Sequence, residues 1–185
     1  MTQKFFPPKL ALQLLNPDGE KTHVQLTWYE NNEKKELKKD ARYYHLRVTN
    51  SRRWSSANQV QVILLQVDAP GPNQKLQTVW NGAIPLTWRH QELYPPLRTI
   101  GASADVDLCS VIKEGGFQLH PLVKPFNLDT EWLSATTIVL HIQAQSSECD
   151  SSILCIKISW DGKWHDGAQE MRKHLIIEPV DRVTT

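Results

Sequence analysis

The sequence predicts an all-β protein, an antiparallel sandwich that uses the whole chain, residues 1–185, as a single domain. Three observations carry that expectation. Apolar and polar residues alternate over most of the chain, the period-two signature of strands buried on one face. Clusters of turn-forming residues recur about every 8–12 positions, as in sandwiches and barrels. No helical period lasts beyond about ten residues, and no strand–helix rhythm points to a parallel sheet.

The elements follow in chain order. Leu10, Leu12 and Leu14 share one face of a first strand. Asn16-Pro17-Asp18-Gly19 then turns the chain, proline presetting one dihedral and glycine supplying a positive one. Val24, Leu26 and Trp28 alternate with His23, Gln25 and Thr27 in a second strand. The Lys- and Glu-rich stretch 31–40 reads as an exposed loop or hairpin tip, with a short surface helix as the alternative. In the next strand Tyr44, Leu46 and Val48 face one way, and Tyr43, His45 and Arg47 the other. Val60–Val67 is apolar on both faces, as a central strand is, and Ala69-Pro70-Gly71-Pro72-Asn73 ends it. Further strands are expected at 75–80 and 84–88, followed by an irregular, proline-bearing segment over 89–104.

Val106 and Leu108 alternate with Asp105 and Asp107, and Gly115-Gly116 turns the chain. The clearest hairpin pairs the face Thr136/Ile138/Leu140/Ile142 with Leu154/Ile156/Ile158/Trp160 across a turn at 147–150. Near the end, Asp166 is placed to cap a short helix with Gln169 three residues on, and Ala168, Met171 and Leu175 have helical spacing. Leu175-Ile176-Ile177 reads equally well as a strand.

A chain of this length hides roughly 70% of its unfolded surface on folding, enough for a core without staples. The net charge of +1 gives no global field to attract nucleic acid or an anionic membrane. No run of about 18 apolar residues spans a bilayer. Residues 1–8 lack the apolar core of a secretory signal. The three cysteines, Cys109, Cys149 and Cys155, fit reduced thiols in the cytoplasm better than a disulfide framework. A soluble domain of a protein anchored to a membrane through an upstream segment is the alternative.

The segment Tyr44-His45-Leu46-Arg47-Val48-Thr49-Asn50, followed by Ala57-Asn58-Gln59-Val60-Gln61-Val62-Ile63-Leu64, resembles the adjacent strands of bacterial immunoglobulin-like modules of the cell-adhesion-related (CARDB-like) type. In those modules a strand ends in Val-x-Asn, a loop follows, and the next strand carries alternating valines. Ile84-Pro85-Leu86-Thr87-Trp88 is similar to a segment of uncharacterised bacterial proteins with such a domain. The resemblance implies an antiparallel immunoglobulin-like β-sandwich with irregular loops and a binding or scaffolding role. It implies no catalytic residues.

The residues themselves offer little chemistry. His90, Cys109, His120, His165 and His174 are the available metal ligands, but no close pair has zinc-site spacing. No G-x-S-x-G elbow is present. In Asp105-Val106-Asp107-Leu108-Cys109 the alternation puts both carboxylates and the thiol on one face, where negative charge blunts the thiol. No catalytic, metal or cofactor-binding residue is therefore expected, and no cofactor. Arg42, Arg47, Arg52 and Arg53 cluster around Tyr43 and Trp54 in a pattern that can grip phosphates and stack bases, but near-neutrality argues against nucleic acid.

The seven tryptophans are the most unusual feature. Trp28 and Trp160 end apolar faces and read as core, whereas Trp54, Trp80, Trp88, Trp132 and Trp164 fall in or near loops. Loop tryptophans either cap a sandwich or form interface hot spots, which are rich in Trp, Tyr and Arg. The candidate interface is accordingly Arg52, Arg53 and Trp54, with Trp88, Arg89 and His90, and with Trp164 and His165. The expected function is a non-catalytic protein-interaction or accessory module, its partner a second copy or another protein. A small-ligand or carbohydrate-binding sandwich and a nucleic-acid-binding accessory domain are the alternatives.

Overall fold

Alternation fixes where the side chains of this chain go. In the computed structural model, which describes residues 6–30, 32–91 and 94–181, the strands close on one another as two antiparallel sheets of six strands each. The first sheet holds β1 (Leu10–Leu14), β2 (Glu20–Glu30), β3 (Glu33–Asn50), β7 (Ser103–Ile112), β8 (Gly116–Leu119) and β9 (Glu131–Trp132). The second holds β4 (Ala57–Pro70), β5 (Leu76–Pro85), β6 (Arg98–Ile100), β10 (Thr136–Gln145), β11 (Leu154–Trp160) and β12 (Leu175–Val180). A seven-residue helix, α1 (Ala168–His174), joins β11 to β12.

The core is the set of inward faces that the alternation marks. Tyr44, Leu46 and Val48 of β3 meet Val62 and Leu64 of β4, Ile138, Leu140 and Ile142 of β10, and Ile156 and Ile158 of β11 in one buried cluster. β4 is central, hydrogen-bonded to β10 on one side and to β5 on the other. The stretches 75–80 and 84–88 are not two strands: β5 runs unbroken to Pro85 and the chain then changes sheets. Leu86 N still donates to Val62 O of the second sheet at 2.8 Å, while Asp107 N of the first sheet donates to Thr87 O at 2.9 Å. That crossing carries Trp88 into the core and fixes the next residues, Arg89 and His90, above the first sheet.

Three further expectations are corrected, the first only in part. For the stretch 31–40 the hairpin reading holds and the helix does not: from Glu33 it is the first part of β3, paired with β2 down to Glu30↔Glu33. Asp166 does not cap α1, whose N-cap is Gly167 without a side-chain cap bond; the Asp166 carboxylate instead accepts from Lys21 Nζ at 2.9 Å. Both readings of the C-terminal segment hold, since helix α1 ends at His174 and strand β12 begins at Leu175.

The third correction is a β-bulge. Tyr44 pairs with Cys109 but His45 pairs with Asp107, so Leu108 is an extra residue in β7. An inserted residue reverses the faces on either side of it. Leu108 and Cys109 both enter the core, while Asp105 and Asp107 stay on the outer face. Cys109 does not share their face, and burial, not the carboxylates, pushes its thiol pKa up.

Candidate functional site

The first feature is an arm. β7 pairs with β3 only from Ala41 onward, so among the described residues Val24–Glu30 of β2 and 33–39 of β3 have only each other as strand partners. At about 3.3 Å per residue, this two-stranded ribbon extends roughly 23 Å past the sheet. Residues directly opposite share a face, so Val24↔Lys39, Leu26↔Leu37 and Trp28↔Lys35 form one side of it. Leu26 (40%), Leu37 (43%) and Trp28 (43%) are all exposed there. Trp28 is thus not the core residue that its alternation implies, because no other described strand pairs with the arm there and it stays 43% exposed. Trp160, by contrast, is core.

The base of the arm is fastened to the segment that joins β11 to β12. Lys21 Nζ lies 2.9 Å from Asp166 and 3.5 Å from Asp40, and Arg42, 3% exposed, donates to the carbonyls of Asp18 and Asp166 at 2.9 Å each. Arg172 reaches Asp18 at 3.2 Å. The arm therefore leaves from a root held by ion pairs and hydrogen bonds.

Beside that root, on the outer face of the first sheet, lies an open cleft of about 230 Å³ lined by Glu20, Thr22, His23, Tyr43, His45, Arg89, His90 and Asp107. His45 Nδ1 donates to Asp107 Oδ1 at 2.9 Å, and its Nε2 lies 3.8 Å from Glu20. Arg89 forms an ion pair with the same Glu20 carboxylate. The Tyr43 ring stacks on His120 at 5.0 Å, and His120 Nε2 bonds Ser110 Oγ at 2.9 Å. Burial raises the Tyr43 pKa, Asp107 adds to this, and the Ser110 hydroxyl opposes it. Burial lowers that of His120. The cleft is polar, and its guanidinium is already paired with Glu20.

The interface candidates do not converge. Trp88 is withdrawn from the set: it is 1% exposed, and its Nε1 donates to Pro96 O at 2.9 Å. Arg89 and His90 border the cleft, and His165 is exposed near the other side of the arm's root, where Trp164 packs half-buried on the core. Arg52, Arg53 and Trp54 follow the far end of β3. The seven residues that separate Tyr43 from Asn50 put that loop roughly 23 Å away from the cleft. Trp54 is 75% exposed there, and Arg52 donates to Pro7 O at 2.8 Å.

The arginine cluster disperses as well. Arg42 is buried, and Arg47 makes two bonds to Asp105, at 2.8 and 3.0 Å. The Arg47 hydrogen bonds hold the Asp105 carboxyl below the usual range. Arg42 is withdrawn from solvent, and the Arg47 guanidinium, on a side chain 37% exposed, is already paired with Asp105. Among the described residues, no three His, Cys, Asp or Glu side chains are grouped as a metal site needs, and no helix is long and apolar enough to cross a membrane.

A second polar cluster, not anticipated from the sequence, lies on the outer face of the second sheet. Cys155 Sγ lies 3.3 Å from His141 Nδ1, and His141 Nε2 lies 2.7 Å from Asp68 Oδ2. The signal was present. His141 and Cys155 occupy outward-facing positions of a hairpin whose inward positions Ile138/Leu140/Ile142 and Leu154/Ile156/Ile158/Trp160 are apolar.

Comparison with protein-family models, curated proteins and solved structures returned no match for this chain.

Proposed function

We propose that the chain is a protein-interaction module that pairs with a second copy of itself through the outer edge of β2. The observation behind this reading is the arm: an eleven-residue edge strand, free of register shifts, that carries an exposed apolar stripe. Such an edge presents a row of backbone donors and acceptors as a template for another strand. The CARDB-like resemblance, with its binding or scaffolding role, points the same way.

The side chains select both the partner and the register. Antiparallel self-pairing about a two-fold axis at Leu26 sets Val24 against Trp28, Gln25 against Thr27, and His23 against Tyr29. Aromatic residues then face aliphatic ones or another ring, and no like charges stand opposite each other, an arrangement that favours pairing. Sliding by two residues in one direction puts Glu30 opposite Glu20. Sliding in the other puts the Glu30 carboxylate opposite Val24. A two-fold pairing of one patch with itself closes as a dimer and leaves no open end.

Sedimentation equilibrium over a range of concentrations tests the proposal. The expected result is a reversible dimer that Leu26→Lys converts to monomer with unchanged circular dichroism, while Trp54→Ala remains dimeric. A wild-type chain that stays monomeric up to about 1 mM, the limit of roughly 4 kcal/mol of association energy, rules it out.

The cleft favours a second reading, binding of a small polar ligand between His45, Glu20 and Arg89. Titration with small carboxylic acids and sugars, followed by imidazole NMR, checks it. Shifts confined to the His23, His45 and His90 resonances support it, and unchanged spectra dismiss it.

A further inference from the structure

We propose that Cys155, His141 and Asp68 form a reactive-thiol site that reduces a small hydroperoxide, independently of the arm. Three adjacent strands build it. Cys155 of β11 stands directly opposite His141 of β10, which stands opposite Gln66 of β4, two residues before Asp68. All three side chains lie on the outward side, since their neighbours Leu140, Ile142 and Ile156 fill the core.

The hydrogen bonds fix the proton positions. Asp68 Oδ1 accepts from Gln66 Nε2 at 2.7 Å and from Thr78 Oγ1 at 2.8 Å, while Oδ2 faces His141 Nε2. Burial alone would raise the Asp68 pKa, but the bonds from Gln66, His141 and Thr78 outweigh it and hold the carboxyl below its ordinary value. An ionised Asp68 only accepts, so His141 carries its proton on Nε2 and presents the Nδ1 lone pair to the Cys155 sulfur. A thiol within reach of a base that a third group orients is the arrangement that activates a nucleophile. Asp68 is a positioning residue here, holding the tautomer and stabilising the imidazolium that forms.

The balance of the step is simple. His141 Nδ1 takes the thiol proton, and the sulfur attacks one peroxide oxygen. The S–O bond forms as the O–O bond breaks. The departing oxygen takes the proton from His141 and leaves as water, or as an alcohol from an alkyl hydroperoxide. Cys155 is oxidised by two electrons to a sulfenic acid and the peroxide is reduced. Cys155 is 3% exposed and His141 6%, which selects a small oxidant over a bulky electrophile.

The protein contains its own controls. Cys109 is wholly buried in the core with its thiol pKa raised by burial, and Cys149 is more exposed than Cys155 but sits beside Ser146, 3.7 Å from its Oγ. The test is limiting hydrogen peroxide on the intact protein, with dimedone trapping of sulfenic acid and mass spectrometry at each cysteine. Cys155 is expected to be labelled at least about tenfold faster than Cys149 despite its lower exposure. In His141→Gln and Asp68→Asn the Cys155 rate is expected to fall about tenfold while the Cys149 rate stays unchanged. Labelling of Cys149 ahead of Cys155 in the wild type overturns the proposal, whether or not the variants fold. An unchanged Cys155 rate in a folded His141→Gln protein overturns it equally.

Discussion

Leu26 and Leu37 face each other across a ribbon that no other described strand covers, and each keeps at least two-fifths of its surface in solvent. In a monomer, such a pair contributes little to stability.

Substitutions on the arm are therefore expected to separate folding from association. Leu26→Lys and Trp28→Lys should each change the unfolding free energy of the monomer by about 0.5 kcal/mol or less, as for surface positions generally. Urea unfolding at concentrations too low for dimer measures this. A loss of several kcal/mol would mean that the arm packs on the body.

The two tryptophans of the interface set should behave in opposite ways. Trp88→Ala empties a site in the core and breaks the bond to Pro96 O, so a loss of about 3–5 kcal/mol is expected. Trp54→Ala removes a side chain that is 75% exposed and should fall within about 0.5 kcal/mol of wild type. Paired urea midpoints for the two variants check both.

Acid should weaken the fold in two stages. Burial holds the His120 pKa below its unfolded value. Its contribution is then fully present above pH ~6.5 and is lost as the pH falls from there toward the folded value. Asp68 and Asp105 are also depressed, so their contributions are present above pH ~4 and are lost as the pH drops through their folded values. His120→Gln should make stability flatter between pH 7 and 5.5 and leave the lower stage in place. Stability curves for the two proteins at those pH values decide it.

Gly116 opens β8 at φ +91°, and a Cβ there would collide with the backbone carbonyl of Trp132. Gly116→Ala combines a positive-φ penalty with displacement of β9, so roughly 1–3 kcal/mol of destabilisation is expected. The measurement is a thermal or urea midpoint. An unchanged midpoint would mean that the β8–β9 pairing is dispensable.

The core faces were legible because their period is two and one side is dry. Tyr44/Leu46/Val48, Ile138/Leu140/Ile142 and Ile156/Ile158 are read directly from the alternation. The same alternation misleads at Trp28, since a sequence records which face is apolar but not whether anything lies against it. The bulge at Leu108 was invisible for a related reason: one extra residue changes no local pattern, yet it moves Cys109 to the opposite face. Cys155 and His141 were nearer to hand. The turn at 147–150, taken as symmetric, sets His141 opposite Ile156. The apolar faces, however, require residues of equal parity to pair, and the observed partner is Cys155. Trp88 was misplaced because the change of sheet after Pro85 depends on contacts with Val62 and Asp107, both distant in sequence.

The self-pairing of β2 can be tested at its axis. With Cys149 replaced by Ser, Leu26→Cys should form an intermolecular disulfide under mild oxidation, because residue 26 meets its own copy across the two-fold. Leu37→Cys, equally exposed but on the inner strand of the ribbon, should remain monomeric. Cross-linking of both variants at similar rates, or of neither, would contradict the pairing.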